Sequence, residues 1–414
     1  MYDKIILPNG VRILSEHMDG VRSAAIGIWV GVGSRYEDYA EAGAAHFIEH
    51  MLFKGTSKYT AAQLAEMMDA VGGQINAFTT RDSTCFHARV LDTHLPLAID
   101  ILSDMFFDSN FSEADVTGEC GIILEEIDMY EDTPEDVVAE ELIGACFPGA
   151  LGRPVLGRPD SLKSQTGASL RAFKDKHYTA PRVVVALGGS FSEADIAHII
   201  SRFSVMETAE DLLADPDDYV PAFAIKQKAT EQNHLILGFP GLKTASEDRF
   251  AMQLLSVILG GNASSRLFQT VREKHGLCYS IYSFSASFAE TGVLGISTAM
   301  SRDTEAKAAA LIMSEMRKIK EDGVTAEELS RSNEQMKSSL VMSLESTASR
   351  MNRLGYGELF VGEPFTADAL IARYDAVTAD DILALARRTF DFEKMSFSAV
   401  GQTGDEAYYR EILR

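Results

Sequence analysis

The sequence predicts an α+β protein of two tandem homologous domains, each a mostly antiparallel sheet packed with helices. Three observations carry this. The chain has 414 residues, too long for one ordinary hydrophobic core and about right for two large domains. Strand-like alternation and helix-like periodicity follow one another along the chain. The order of elements then begins again at an offset of roughly 200–215 residues, the mark of a tandem duplication.

Ile5 to Leu14 is expected to form a hairpin turning at Pro8-Asn9-Gly10. Val21 to Val32, rich in Ile, Val, Trp and Ala, reads as a buried strand. A helix carrying His46 and His50 follows, and Ala61 to Val71 is a second amphipathic helix ending at Gly72-Gly73. Gln74 to Thr80 and Thr84 to Leu91 alternate as two strands. His94 to Phe107 is a helix, and Ser112 is a capping candidate for a long helix from about Glu113 to Tyr130. Pro134 to Phe147 is helical, and Pro148 to Pro159, with three glycines and three prolines, is an irregular loop. Helices at Ser169 to His177 and Glu193 to Phe203 flank a strand at Arg182 to Gly188.

Residues 207–222 are acidic and proline-bearing, with Glu210, Asp211, Asp215, Asp217 and Asp218. They read as a linker between domains at 1–206 and 223–414. The pattern then restarts: a strand at His234 to Phe239 and a helix at Asp248 to Leu259 ending at Gly260-Gly261. Strands at Tyr279 to Ala289 and Gly292 to Thr298 follow, then a helix at Thr304 to Ile319. A long helix opens at Val324-Thr325-Ala326-Glu327-Glu328, echoing Phe111-Ser112-Glu113-Ala114-Asp115, and runs to about Glu345.

The composition, 46% hydrophobic and 24% charged, is that of a folded soluble protein. A net charge of -23 argues against nucleic acid and anionic membrane as partners; it would attract basic ones, though composition alone favours a role in solubility only. Cys85, Cys120, Cys146 and Cys278 are scattered and form no Cys-x-x-Cys pair, which fits a reducing compartment better than a disulfide framework. The N-terminus has no long apolar core of a signal peptide, and no stretch reaches 18 uninterrupted apolar residues. The expected location is therefore cytoplasmic.

The chemistry gathers at His46-Phe47-Ile48-Glu49-His50, a His-x-x-Glu-His motif. On a helix the two histidines stand four apart on one face, where neutral imidazoles can take two corners of a Zn²⁺ tetrahedron. Glu49 reaches the same edge without binding the ion and suits a general base. A buried amphipathic helix with two hydrogen-bonded histidines would show the same pattern, so the rest of the chain decides. The second half has no such motif, which confines any metal chemistry to the first.

A catalytic zinc needs a third protein ligand. Glu119, Glu125 and Glu126 on the long helix are the candidates. Glu119 and Glu126 are seven apart on one face, while Glu125 points about 100° away from Glu126. This favours Glu126 as ligand, with Glu119 orienting a histidine from two turns back. The spacing alone equally describes a solvated acidic face.

His46-x-x-Glu49-His50 followed 76 residues later by Glu126 resembles the signature of the M16 (pitrilysin, or inverzincin) metallopeptidases. The similarity is to short single-unit members, such as the mitochondrial processing peptidase β subunit and its bacterial relatives. Three further motifs resemble the family in the same order: Gly72-Gly73-x-x-Asn76-Ala77-Phe78-Thr79, Gly152-Arg153-Pro154-Val155-Leu156-Gly157, and Arg272-x6-Tyr279.

The resemblance implies a zinc endopeptidase with one Zn²⁺ per chain, held by His46, His50 and Glu126, with Glu49 as base and Glu119 in support. It implies that Asn76 and Ala77 pair with substrate backbone at a sheet edge. It assigns Tyr279 to the oxyanion and Arg272 to substrate or to Tyr279. Read without the family, Arg272 is one charge of a basic cluster at a helix end. Asp136 and Glu140 match acids that receive an arginine near the scissile bond, and Phe53 matches an aromatic lining the pocket beyond it. A merely acidic helix would carry the same pair.

A single-unit member must dimerise to close a chamber. The expected protein is thus a homodimer with Arg272 and Tyr279 acting on the partner's zinc. Its expected substrates are unfolded or basic, presequence-like peptides. The alternatives are a non-catalytic core subunit and the catalytic half of a heterodimeric processing peptidase. The full set of ligands and the Arg-x6-Tyr motif weigh against the first, and no glycine-rich loop of the non-catalytic processing subunit is present.

Overall fold

A computed structural model describes residues 2–209 and 214–414, so Glu210 and Asp211 of the expected linker lie outside the described residues. The first half runs β1 (Asp3–Ile6), β2 (Arg12–His17), β3 (Ser23–Val30), α1 (Ala44–Leu52), α2 (Ala61–Asp69), β4 (Gln74–Thr79) and β5 (Thr84–Leu91). It continues through α3 (Leu95–Asp108), α4 (Glu113–Glu131), α5 (Pro134–Cys146), α6 (Pro159–Ser164), α7 (Gly167–His177), β6 (Val183–Gly189) and α8 (Glu193–Phe203). The second half runs β7 (Phe223–Gln227), β8 (Asn233–Pro240), α9 (Arg249–Gly260), a π-helical stretch at Phe268–Glu273, β9 (Ser280–Ser287) and β10 (Gly292–Met300). It ends with α10 (Glu305–Asp322), α11 (Ala326–Ser343), α12 (Thr347–Phe360), α13 (Ala367–Asp375), α14 (Ala379–Thr389), β11 (Ser396–Gly401) and α15 (Glu406–Ile412).

The strand order is β1-β2-β6-β3-β5-β4 in one sheet and β7-β11-β8-β10-β9 in the other. Each is antiparallel except for one parallel pair, β2 with β6 and β7 with β11. Without β1, the two orders are the same when each half's strands are numbered from its own start: first, last, second, fourth, third. The duplication read from the element pattern is thus also a duplication of topology, and the fold is α+β as expected.

The chain forms two compact units: Met1–Ile127 with Arg153–Asp215 and Val341–Thr366, and Asp128–Gly152 with Pro216–Leu340 and Ala367–Arg414. Each unit takes one helix from the opposite half of the chain. In the first, one sheet face (Ile26, Ile28, Val30, Phe86, Val185) packs against α1, α3, α7 and α8. The opposite face (Leu14, Ala25, Trp29, Cys85, Val184, Ala186) packs against Met351 and Leu354 of α12. In the second, Leu237, Phe239, Leu294 and Phe397 pack against α9, α10 and α14. Ile236, Val293 and Val400 turn the other way, toward Val137, Val138 and Leu142 of α5.

Alternation along each strand supplies two apolar faces, and both need cover. α12 comes close enough that a Cβ on Gly355 would lie 2.3 Å from Trp29, and one on Gly27 2.4 Å from Met351 Sδ. Glu16, buried on β2, holds Arg350 and Arg353 of the same helix.

Most expected elements appear within a few residues of their expected ends. Helix α7 starts at Gly167 rather than Ser169, because Thr166 caps it: its hydroxyl accepts from Ser169 N (3.1 Å), and Ser169 Oγ accepts from Thr166 N (2.8 Å). Strands β7 and β11 and helices α12 to α15 had no counterpart in the sequence reading. The two strands are short, and β11 alternates Ser with Phe and Ala while every one of its residues is buried.

Candidate metal centre

Helix α1 is preceded by its cap residue Gly43, whose φ of 92° places it in the left-handed region that glycine tolerates best. No side chain of α1's own cap satisfies the first amides. Glu37 does, accepting from Gly43 N and Ala45 N at 2.8 Å each. Burial pushes the Glu37 carboxyl up to about 8, against the pull of those amides and of Arg153, whose guanidinium donates to the Glu37 carbonyl. Phe47, Ile48, Met51 and Leu52 anchor the helix in the core.

This anchoring turns His46 and His50 to one side, with ring centroids 4.6 Å apart and planes at 70°. From α4, Glu126 Oε2 lies 3.6 Å from His46 Nε2 and 3.7 Å from His50 Nε2. One ligand atom from each residue falls within 4.8 Å of the others. A tetrahedral ion with bonds of about 2.1 Å would hold its ligands about 3.4 Å apart. The three side chains thus fit Zn²⁺ with small adjustments.

The protonation chemistry fits too. Burial, reinforced by His50, lowers the His46 pKa to about 3, so its imidazole is neutral and its lone pair available. His50 Nδ1 lies 3.0 Å from Glu119 Oε2, leaving Nε2 for a metal. Glu119 is itself buried and held by the Lys54 ammonium. Glu125, by contrast, is exposed.

Glu49 sits on α1 between the histidines. Burial raises its carboxyl above the ordinary range; the Thr79 hydroxyl and His50 draw it back, and Glu126 adds to the rise. Thr79 Oγ1 donates to Glu49 Oε2 at 2.5 Å. Phe53, at the end of α1, is half-buried against the core. Asn76 and Ala77 lie on β4, an outermost strand of its sheet. Asn76 is exposed, and its Oδ1 accepts from Ala77 N at 2.9 Å.

The remaining expected residues lie in the second unit. Arg272, on the π-helical stretch, stacks over Phe268 (4.5 Å) and over Tyr279 (5.5 Å). Tyr279 is 76% exposed. Asp136 is exposed and Glu140 half-buried in the first two turns of α5.

Three residues around the centre carried no role in the sequence reading: Glu37, Lys54 and Thr79. The contacts of Lys54 and Thr79 join elements far apart in the chain, while Glu37 reaches amides six and eight residues on, and no spacing rule announces any of them. The one available signal was Thr79's place in the strand that bears Asn76 and Ala77.

Comparison with known proteins agrees with this geometry. The family Insulinase (Peptidase family M16) matches residues 12–158, and Peptidase M16 inactive domain matches 165–336. The uncharacterized zinc protease YmxG of Bacillus subtilis is 41% identical over 408 residues, covering 98% of this chain and 99% of that protein. An uncharacterized zinc protease of Streptomyces coelicolor is also 41% identical, over 97% of this chain and 89% of its own. Among solved structures, a peptidase M16 inactive domain from Pseudomonas fluorescens superposes with a TM-score of 0.91 at 20% identity, covering 97% and 98% of the two chains. A protease from Helicobacter pylori gives 0.89 at 17% identity, covering 97% and 99%. Family matches across both halves of the chain and full-length likeness to zinc proteases lead to one conclusion: the chain belongs to the M16 peptidase family.

Proposed function

We propose that this chain is a zinc-dependent endopeptidase that cleaves unfolded or basic, presequence-like peptides. The observation that carries the reading is the approach of His46, His50 and Glu126 to within metal-ligand reach, with Glu49 beside them. One zinc per chain, held by these three, would polarise the scissile carbonyl and bring a water's pKa to about 7. Glu49 takes the proton from the attacking water and returns it to the leaving amine. Glu119, braced by Lys54, keeps His50 in the tautomer that presents Nε2. Asn76 and Ala77 on the outer strand β4 pair with an extended peptide, so that main-chain bonds supply affinity without demanding sequence.

In this reading 1–206 is the catalytic domain and 223–414 its homologue, joined by the linker at 207–222. The protein works as a cytoplasmic homodimer with a closed chamber. Tyr279 donates to the oxyanion, and Arg272, stacked on its ring, holds it or the substrate, both acting on the partner's centre. Asp136 and Glu140 receive an arginine side chain, and Phe53 lines the pocket beyond. The acidic surface favours basic peptides, and four free cysteines suit a reducing compartment. Among the described residues no helix is long and apolar enough to cross a membrane.

The test is cleavage of an arginine-containing quenched peptide by wild type and Glu49→Gln, each with and without chelator. Turnover by wild type alone, abolished by chelator, is the expected result. Turnover that survives Glu49→Gln would remove Glu49 as the base. A chain that neither cleaves nor binds zinc would be a structural subunit instead.

A further inference from the structure

We infer that Thr79 is a positioning residue that selects which oxygen of Glu49 acts as the base. The inference rests on the peptidase reading above and deepens it. Glu49 lies mid-helix, one residue from a candidate ligand, and its carboxylate has two oxygens that free rotation would make equivalent. Thr79 ends that equivalence by donating to Oε2 at 2.5 Å.

A hydroxyl has one hydrogen, so the direction of this bond can be worked out. Thr79 closes β4 and is paired in register with Thr84, which opens β5. Thr84 is fully buried, and its hydroxyl donates to Val32 O at 3.0 Å. The two threonine oxygens are 3.4 Å apart, too far to compete with a short bond to a carboxylate. Thr84's hydrogen is therefore committed to the backbone and Thr79's to Glu49. Oε2 becomes a fixed acceptor, and Oε1 is left to take the proton from water and pass it to the amine.

The turn that follows Thr79 is itself held. Thr80 N donates to Ser83 O (2.7 Å), Ser34 N to Thr80 O (3.2 Å) and Arg35 N to Arg81 O (3.1 Å), while buried Arg35 pairs with Asp82 at 2.8 Å. Asn76 and Ala77 lie three and two residues upstream on the same strand. The strand expected to receive the peptide thus also aims the base.

The experiment compares wild type, Glu49→Gln, Thr79→Val and Thr79→Ser in the full-length chain. It reads kcat and KM on the quenched peptide, zinc affinity by chelator competition, and thermal unfolding. Thr79→Val keeps the shape and removes the donor; kcat should fall roughly 10- to 100-fold, with KM within about threefold. Zinc affinity and unfolding temperature should stay near wild type. Thr79→Ser should restore most of the loss. An unchanged kcat in Thr79→Val, a loss that serine does not rescue, or a loss that follows zinc out of the site would overturn the inference while leaving the peptidase reading intact. An inactive wild type, or an active Glu49→Gln, would overturn the peptidase reading and this inference with it.

Discussion

Replacing Glu119 tests whether the carboxylate behind His50 belongs to the metal centre. Its side chain is 6% exposed, with Oε2 3.0 Å from His50 Nδ1 and Oε1 on the Lys54 ammonium. Glu119→Gln keeps an oxygen that accepts from Nδ1–H but removes the charge, leaving Lys54 against a neutral amide. Glu119→Ala removes acceptor and charge together. A hydrogen bond to a charged partner contributes about 1.5–3 kcal/mol. Loss of a partner that orients a ligating imidazole costs about 10- to 100-fold in metal affinity, or about 1.4–2.7 kcal/mol, so the two estimates meet. The glutamine variant should bind zinc about tenfold more weakly and the alanine variant about 100-fold. Competition with a chromophoric chelator at fixed pH and ionic strength measures this, with circular dichroism to check that the helices persist. Equal weakening in both variants would put the effect in charge alone. Wild-type affinity in both would refute the claim that Glu119 serves the metal.

Glu126→Gln should weaken zinc binding more than Glu119→Gln does, because it alters a donor atom itself; unaltered affinity would move the third ligand elsewhere. Gly355→Ala should lower stability by about 1–3 kcal/mol in urea titration, because the new methyl meets Trp29 at 2.3 Å. Alanine's helix preference of about 1 kcal/mol works the other way, so a stabilised variant would show that α12 can retreat from β3 at little cost. His177 is buried against Phe173, takes Arg182 Nη1 on Nδ1 at 3.3 Å, and has its pKa lowered from 6.5 to about 4 by burial, helped by Lys176 and Arg182. A folded pKa below the unfolded one means this stability is present above 6.5 and lost as pH falls toward 4, about 3 kcal/mol at most. His177→Gln should remove that share of the pH slope, and parallel slopes in the two proteins would exclude it. Mixing Glu49→Gln chains with Tyr279→Phe chains should restore some turnover if each centre draws on two chains; no rescue after verified subunit exchange would place the whole site in one.

The fold was legible where a pattern stays within one element. The alternation of Gln74 to Thr79 and the apolar stripe of Phe47, Ile48, Met51 and Leu52 declare a strand and a helix face without reference to anything distant. The duplication was legible because it repeats such patterns in order. The exchange of α5 and α12 was not, because an apolar helix face states that it needs a partner and not which sheet supplies it. Val137, Val138 and Leu142 would have suited either sheet by composition. Glycines where a helix meets a strand, such as Gly27 and Gly355, and Gly188 against Thr347 and Met351, hint at the match, and their pairing is visible only once both positions are placed.

The centre divides along the same line. His46 and His50 share a helix, so their spacing says they face one way, and Glu119 and Glu126 do the same on theirs. That these two helices face each other depends on the packing of everything between. Lys54 and Thr79 act through contacts of that kind alone. The second unit shows why the core and the chemistry could be read separately. It repeats the five-strand order under helix α9, which buries Phe250, Leu254, Leu255 and Ile258 and has no histidine in its 12 residues. The architecture therefore does not need the candidate metal ligands. In α1 the core takes Phe47, Ile48, Met51 and Leu52, while His46, Glu49 and His50 meet polar partners from α4 and β4. Packing in the core thus accounts for Phe47, Ile48, Met51 and Leu52 of α1, and polar contacts with α4 and β4 account for His46, Glu49 and His50.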